Sequence, residues 1–240
     1  MKPIAILQHT KIGAPGAIVP ILESLGRKIH LVKVFDTAPI PVDASAFAGL
    51  VFLGGSMGVH DPLPWIALEL ELIRQADNIG LPIAGHCLGS QLVALALGGI
   101  VRKHGRPEIG WGRIQPELTS TAYEWWGRYA THAIETFQWH QDTFVPPAGA
   151  ERIATNEHCE NQVFVIRDRH LLVQSHLEMT PDLVERTFEK NHAQLERQLA
   201  QGNPAAQRPN EMLQDLANRT RQMNKVLLHL YARWIRGCSD

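Results

Sequence analysis

Cys87 lies within Gly85-His-Cys-Leu-Gly89, between two apolar stretches. Leu81 to Ala84 is long enough for an inner strand of a parallel sheet, and Leu92 to Leu97 is apolar on every side, as in a helix covered by protein. A side chain between two such elements stands on a tight elbow, where flanking glycines avoid a Cβ clash. The elbow aims the sulfur into the crevice at the carboxyl end of the sheet. It also sets the sulfur at a helix N-terminus, whose dipole and free N–H groups favour a thiolate. A second segment, Gln174-Ser-His-Leu-Glu-Met-Thr-Pro181, carries the matching base. On an extended chain residues i and i+2 share a side, so His176 and Glu178 can stand together. Thr180 as N-cap, Pro181 at the first helical position and Asp182 in the first turn predict a helix directly afterwards. The pair is thus expected at the carboxyl end of a strand, the edge where α/β sheets hold ligands. A lone cysteine, or a lone histidine at a strand end, is more often a packed residue. The paired glycines and the carboxylate two residues on distinguish these two.

This set suits acyl transfer. Cys87 would attack a carbonyl carbon, and His176 would take the thiol proton and deliver it to a leaving amine. Glu178 would fix the imidazole tautomer and steady its charged form. The loop Gly54-Gly-Ser-Met-Gly58 follows a buried strand at Leu50 to Leu53. It lacks the Lys-Ser/Thr of a phosphate loop and the spacing of a dinucleotide fingerprint. Read plainly it is a turn. The preferred reading gives the backbone N–H of Gly55, with that of Leu88, to an oxyanion hole, where one lost donor typically costs about 2.7–4 kcal/mol. His86, adjacent on the elbow, points elsewhere and receives no acid–base role. His86, Cys87, His140, His158, Cys159 and His176 include potential metal ligands, but no Cys-x-x-Cys or His-Glu-x-x-His spacing joins them, so no metal is expected.

The elements that position these residues can be read in outline. Ile4 to Leu7, His30 to Phe35 and Leu50 to Leu53 read as strands, with helices over 17–25 and 64–78. Three strand–loop–helix units ahead of the elbow predict a doubly wound α/β sheet. Beyond Gly99 the texture changes. Ile100 to Lys103 and Ile109 to Leu118 read as two strands separated by a Gly-Arg-Pro turn, and further strands are expected over 152–155, 162–167 and 170–175. Trp125 and Trp126 fit either core or an exposed partner patch. The segment Thr136 to Phe144 either places Trp139 and His140 over the site or is a packed edge strand. Asp182 to Gln201 is an amphipathic helix, Gly202-Asn-Pro204 breaks it, and Asn210 to Arg236 reads as one more helix spanning on the order of 40 Å. The division expected is a domain over 1–201 and a helical extension over 202–240, packed on the domain or at an oligomer interface.

Composition narrows the partners. In 240 residues the formal charge is −1, which gives no electrostatic case for nucleic acid or an anionic membrane. No apolar run approaches the roughly 20 residues of a membrane span. Three scattered cysteines argue against a disulfide framework. Together with a start that shows no signal-peptide pattern, they lead to the expectation of a cytoplasmic protein.

Gly85-His-Cys-Leu-Gly-Ser-Gln91, the Gly54-Gly55 loop and Gln174-Ser-His-Leu-Glu178 together resemble the class I, or triad, glutamine amidotransferases. The resemblance runs from about residue 1 to 190 and is nearest to stand-alone proteins similar to the glutaminase domain of GMP synthase. It implies a flavodoxin-like three-layer sandwich with a mostly parallel central sheet. It also implies hydrolysis of the glutamine side-chain amide through a γ-glutamyl thioester on Cys87, with no cofactor. Gly55 and Leu88 would supply the oxyanion donors. Gln91 and Gly54, with Trp139 and His140, would contact the substrate. Two departures stand out. The family's His-Pro-Glu is here His176-Leu177-Glu178, and no second domain to consume ammonia is expected within these 240 residues. A separate synthetase subunit would then receive the ammonia, or the enzyme would act alone on glutamine or another γ-glutamyl compound as a peptidase or transferase. A catalytically silent regulatory subunit is a further alternative, and a homo-oligomer is allowed.

Overall fold

The structure is a computed structural model that describes residues 2–238. Nine strands form one sheet in the order β2-β1-β3-β4-β9-β8-β7-β5-β6. The first five in that order are parallel: β2 (Ile29–Lys33), β1 (Ile4–Gln8), β3 (Gly49–Phe52), β4 (Ile83–His86) and β9 (His170–Val173). The sheet continues antiparallel through β8 (Val163–Ile166), β7 (Ala150–Thr155), β5 (Ile100–Pro116) and β6 (Ile134–Val145).

Strand alternation sorts the core into two layers. Ile4, Ile6, Val51, Ala84 and Val173 pack against α1 (Ile18–Ser24), α5 (Pro181–Ala200) and α7 (Leu216–Trp234). Ala5, Leu7, Phe52, Ile83 and Leu172 pack against α2 (Pro64–Asn78) and α3 (Leu88–Ala96). This is the expected three-layer α/β sandwich, with the C-terminal helix seated on one face. The helix at 180 starts as read: the Thr180 side chain accepts from the Leu183 N–H, and Pro181 opens α5.

Three local expectations change and one open alternative is decided. The strands read over 100–103 and 109–118 are one strand, β5, with an irregularity between Lys103 and Glu108. Strand β6 pairs with both arms, so Gly105-Arg106-Pro107 is taken up as a bulge, a position where proline's missing N–H is tolerated. The strand begun at His30 stops at Lys33, and Val34–Asp36 coils into a 3-10 turn. Trp125 and Trp126 lie on α4 (Ser120–Trp126), fully buried, with their indole N–H groups on Asp168 and the Ile153 carbonyl; they are core. The helix read over 210–236 is broken: α6 (Pro209–Met212) ends and α7 starts after Asp215, whose φ of 53° is left-handed and interrupts the hydrogen-bond ladder.

Candidate active site

The elbow forms as the glycines require. Cys87 takes φ 50° and ψ −110°, a strained conformation for a residue with a Cβ, directly between β4 and α3. A Cβ at Gly85 would lie 2.7 Å from the Ser90 nitrogen, and one at Gly89 would run into the Phe52 carbonyl. The turn is tied to β9: the Cys87 N–H donates to the Val173 carbonyl at 2.8 Å, and the Ser90 hydroxyl reaches the Gly85 and Val173 carbonyls, each at 2.7 Å.

His176 and Glu178 meet Cys87 at this edge. The chain has left β9 by Gln174, and His176 instead forms an antiparallel bridge to Phe137 of β6, its N–H donating to the Phe137 carbonyl at 2.7 Å. Its Nδ1 lies 2.6 Å from Glu178 Oε1. Nδ1 being taken, Nε2 is the ring nitrogen left to interact with Cys87, whose Sγ also lies 4.0 Å from the Trp139 carbonyl. Burial pushes the His176 imidazolium towards losing its proton, but the Glu178 carboxylate and the contact with Cys87 outweigh it and hold the pKa well above the usual value. Burial likewise works to raise Glu178, and His176, with His86, overrides it to hold the carboxyl far below the ordinary range.

A cavity of about 370 Å³ opens over the sulfur. It is lined by the Gly54–Gly58 loop, Gln91, Trp139, His140 and His176, together with Lys103, Asp61, Asp142 and the α5 residues Thr187, Asn191 and Gln194. The loop is pressed against the elbow: a Cβ at Gly54 would sit 2.9 Å from His176 Cε1, and one at Gly55 would sit 2.7 Å from Leu88 Cδ2. Leu88 opens α3, so its backbone N–H belongs to the first turn, which has no intrahelical acceptors. At the root of the loop, buried His9 contacts the Leu53 carbonyl at 3.0 Å and Glu69 at 3.0 Å. The sequence held no signal for that prop, because Glu69 comes from the outer helix α2.

The residues expected to contact substrate all reach the cavity, but several polar atoms are committed to its walls. Gln91 Nε2 donates to the Asp142 carbonyl at 3.3 Å and to Gln174 at 3.2 Å. Trp139 Nε1 donates to Gln194 at 2.9 Å. His140 Nε2 meets Glu108 at 2.8 Å and its Nδ1 meets the Asp142 carbonyl at 3.0 Å. Behind it, Glu108, His140 and Cys159 bring their donor atoms within 4.8 Å of one another. No sequence spacing announced this trio, because it is assembled from β5, β6 and the loop after β7. Its hydrogen bonding is already filled: Glu108 also accepts from Asn156 at 2.6 Å and Gln162 at 2.8 Å, and burial pushes the Cys159 thiol up.

A strained cysteine, an ion-paired histidine and a glycine loop at one sheet edge can carry acyl transfer. The profile of the family described as "Glutamine amidotransferase class-I" matches residues 14–194. The chain belongs to that family. Among glutamine amidotransferases of known structure, one from Methylobacillus flagellatus is 35% identical, with a TM-score of 0.95 over 100% of this chain and 96% of that one. The alignment therefore includes the C-terminal helices that lie beyond the matched family region. "Gamma-glutamyl peptidase 4" of Arabidopsis thaliana is 26% identical over 176 residues, 72% of this chain and 70% of its own. The glutamine-hydrolysing GMP synthase subunit of Sulfolobus acidocaldarius is 31% identical over 135 residues, 55% of this chain and 68% of its own. Among the described residues no helix is long and apolar enough to cross a membrane.

Proposed function

We propose that this amidotransferase hydrolyses the side-chain amide of glutamine through Cys87. The observation that carries the reading is the His176–Glu178 pair, 2.6 Å apart, presented to a cysteine on a strained elbow. With its imidazolium form favoured, His176 holds on Nε2 the proton given up by the Cys87 thiol while Sγ bonds to the amide carbon. The Gly55 and Leu88 N–H groups receive the developing oxyanion. The carbon–nitrogen bond then breaks, and the proton held by His176 leaves with the nitrogen as ammonia. Water, deprotonated by the same imidazole, hydrolyses the γ-glutamyl thioester to glutamate and restores the thiol. Every atom in this cycle comes from the chain, the substrate and water, so no cofactor enters.

A free amino acid presents an ammonium and a carboxylate, and the cavity lining offers Asp61 and Asp142 for the first and Lys103 for the second. The ammonia goes to a separate acceptor protein, and the similarity to a protein named as a subunit of GMP synthase favours that arrangement. The two other cysteines are free and buried, in keeping with a reducing cytoplasm.

A second reading has its own support. The cavity extends to uncharged amide and hydroxyl groups on α5, Thr187, Asn191 and Gln194, which suit a peptide backbone beyond the scissile bond. The similarity to a γ-glutamyl peptidase points the same way. The test is a panel of L-glutamine and γ-glutamyl dipeptides, with Cys87→Ala as control. Cys87-dependent ammonia release exceeding all peptide cleavage establishes the first reading, and the reverse order establishes the second.

A further inference from the structure

We propose that helix α7 positions the triad carboxylate, Tyr231 acting through His86 and Asn224 through the carbonyls on either side of Glu178. The proposal rests on the Cys87–His176–Glu178 reading above. Strand parity explains the first arm. Ala84 faces the α1/α7 layer, so His86, two residues on, turns the same way while Cys87 turns into the cavity. His86 is fully buried, and its Nε2 lies 2.8 Å from the Tyr231 hydroxyl. Its Nδ1 faces Glu178 Oε2 at 3.5 Å, an electrostatic approach longer than a hydrogen bond, and neither atom has a hydrogen-bond partner among the described residues.

These contacts fix a direction. Burial, and then the charge of Glu178, hold the Tyr231 phenol well above its usual pKa, so the hydroxyl keeps its proton. His86 Nδ1 faces a carboxylate oxygen, which can only accept, so Nδ1 is the protonated nitrogen, Nε2 is the acceptor, and the Tyr231 hydroxyl donates to it. The His86 proton is then on Nδ1, directed at Glu178 Oε2. Glu178 is thereby flanked by two imidazoles, His176 on Oε1 and His86 on Oε2. A carboxylate hydrogen-bonded at Oε1 and faced by a second imidazole at Oε2 is steadied against swinging away from His176.

The second arm holds the backbone. Asn224 Nδ2 donates to the Leu177 carbonyl at 2.8 Å and to the Met179 carbonyl at 3.2 Å, bracketing Glu178. Leu177 has no proline ring to fix its φ, and this double hydrogen bond constrains the segment instead. The cavity lining includes no residue of α7 among the described residues, so the helix acts on the triad and not on substrate binding.

The test uses full-length Tyr231→Phe and Asn224→Leu, each close in shape to the native side chain. Three quantities are read: thermal unfolding, the rate of Cys87 alkylation by iodoacetamide, and kcat with KM for L-glutamine. Each variant is expected to alkylate Cys87 more slowly and to lose kcat, both on the order of 10-fold, at unchanged KM and at temperatures where it is folded. Wild-type alkylation rate and kcat in whichever of the variants folds overturn the proposal, because a helix that only packs alters the unfolding temperature alone. If no form of the chain turns over glutamine, the alkylation rate still decides between positioning and packing, and the substrate assignment is what fails.

Discussion

Replacing Glu178 by Gln keeps the side-chain shape and removes one charge. Both Glu178 oxygens are buried, one 2.6 Å from His176 Nδ1 and the other 3.5 Å from His86 Nδ1. Two effects follow. The His176 imidazolium that accompanies attack by Cys87 loses its counter-charge. With charge centres about 4 Å apart and an effective dielectric constant near 20, that attraction is worth about 4 kcal/mol, or roughly a 1000-fold change in rate. The second effect concerns the tautomer. The amide offers one acceptor and one donor to two histidines that both present Nδ1. If its NH2 faces His176, the proton moves to Nε2, and the base can no longer accept from Cys87. Loss of the correct tautomer in a triad is known to cost about 10,000-fold in kcat. The expected result for Glu178→Gln is therefore a fall in kcat of about 1000- to 10,000-fold with KM for glutamine within a few-fold of wild type, measured as steady-state ammonia release. A kcat within 10-fold of wild type would falsify the view that Glu178 steadies and orients His176.

Other consequences are open to direct measurement. Gly89→Ala drives a Cβ into the Phe52 carbonyl and is expected to lower the urea midpoint by an amount equal to about 3 kcal/mol or more; a wild-type midpoint contradicts the packing described. Lys103→Met removes the lysine of the cavity lining and is expected to raise KM for glutamine about 10-fold at similar kcat, an effect that should vanish if the α-carboxylate binds elsewhere. The His176–Glu178 pair also predicts a pH window for stability. Glu178, with its folded pKa held low, stabilises the fold above the ordinary carboxylate range of about 4.3 and loses that contribution as pH falls. His176, with its folded pKa held high, contributes fully below about 6.5 and loses that contribution as pH rises through the folded value. The gap in unfolding temperature between wild type and Glu178→Gln should thus be widest near pH 5–6, and a gap that stays constant from pH 3 to pH 9 would count against it. Alkylation by iodoacetamide should modify Cys87 well before Cys238, whose thiol burial pushes up to about 12.

The parallel half of the fold, and the meeting of Cys87, His176 and Glu178 at one sheet edge, were legible because each rests on local pattern. Short apolar runs mark β1, β3 and β4, glycines at 85 and 89 admit the elbow, and the cap at Thr180 ends the base-bearing segment at the right edge. What stayed hidden depends on long-range packing. Nothing near Lys103 reveals that β6 will pair with both arms of β5 and turn a presumed loop into a bulge. His86 was set aside as pointing away from the chemistry, and it does turn away from the cavity, but strand parity carries it to the back of Glu178. The apolar stripe of the last helix gave its packing face, while the break at Asp215, the contacts of Asn224 with the carbonyls flanking Glu178 and that of Tyr231 with His86 needed the tertiary structure. The structure puts Trp139, His140 and Gln91 in the cavity lining, and their hydrogen bonds to Gln194, Glu108 and Gln174 could not be seen from sequence spacing.

The most direct test of the central claim is to trap the acyl-enzyme. Full-length protein mixed with L-glutamine, quenched in acid within the first turnovers and digested should yield a γ-glutamyl adduct on the peptide carrying Cys87, with stoichiometric release of ammonia. The same experiment on Cys87→Ala should give neither. An adduct on Cys159 or Cys238, or ammonia release that persists in Cys87→Ala, would contradict the account.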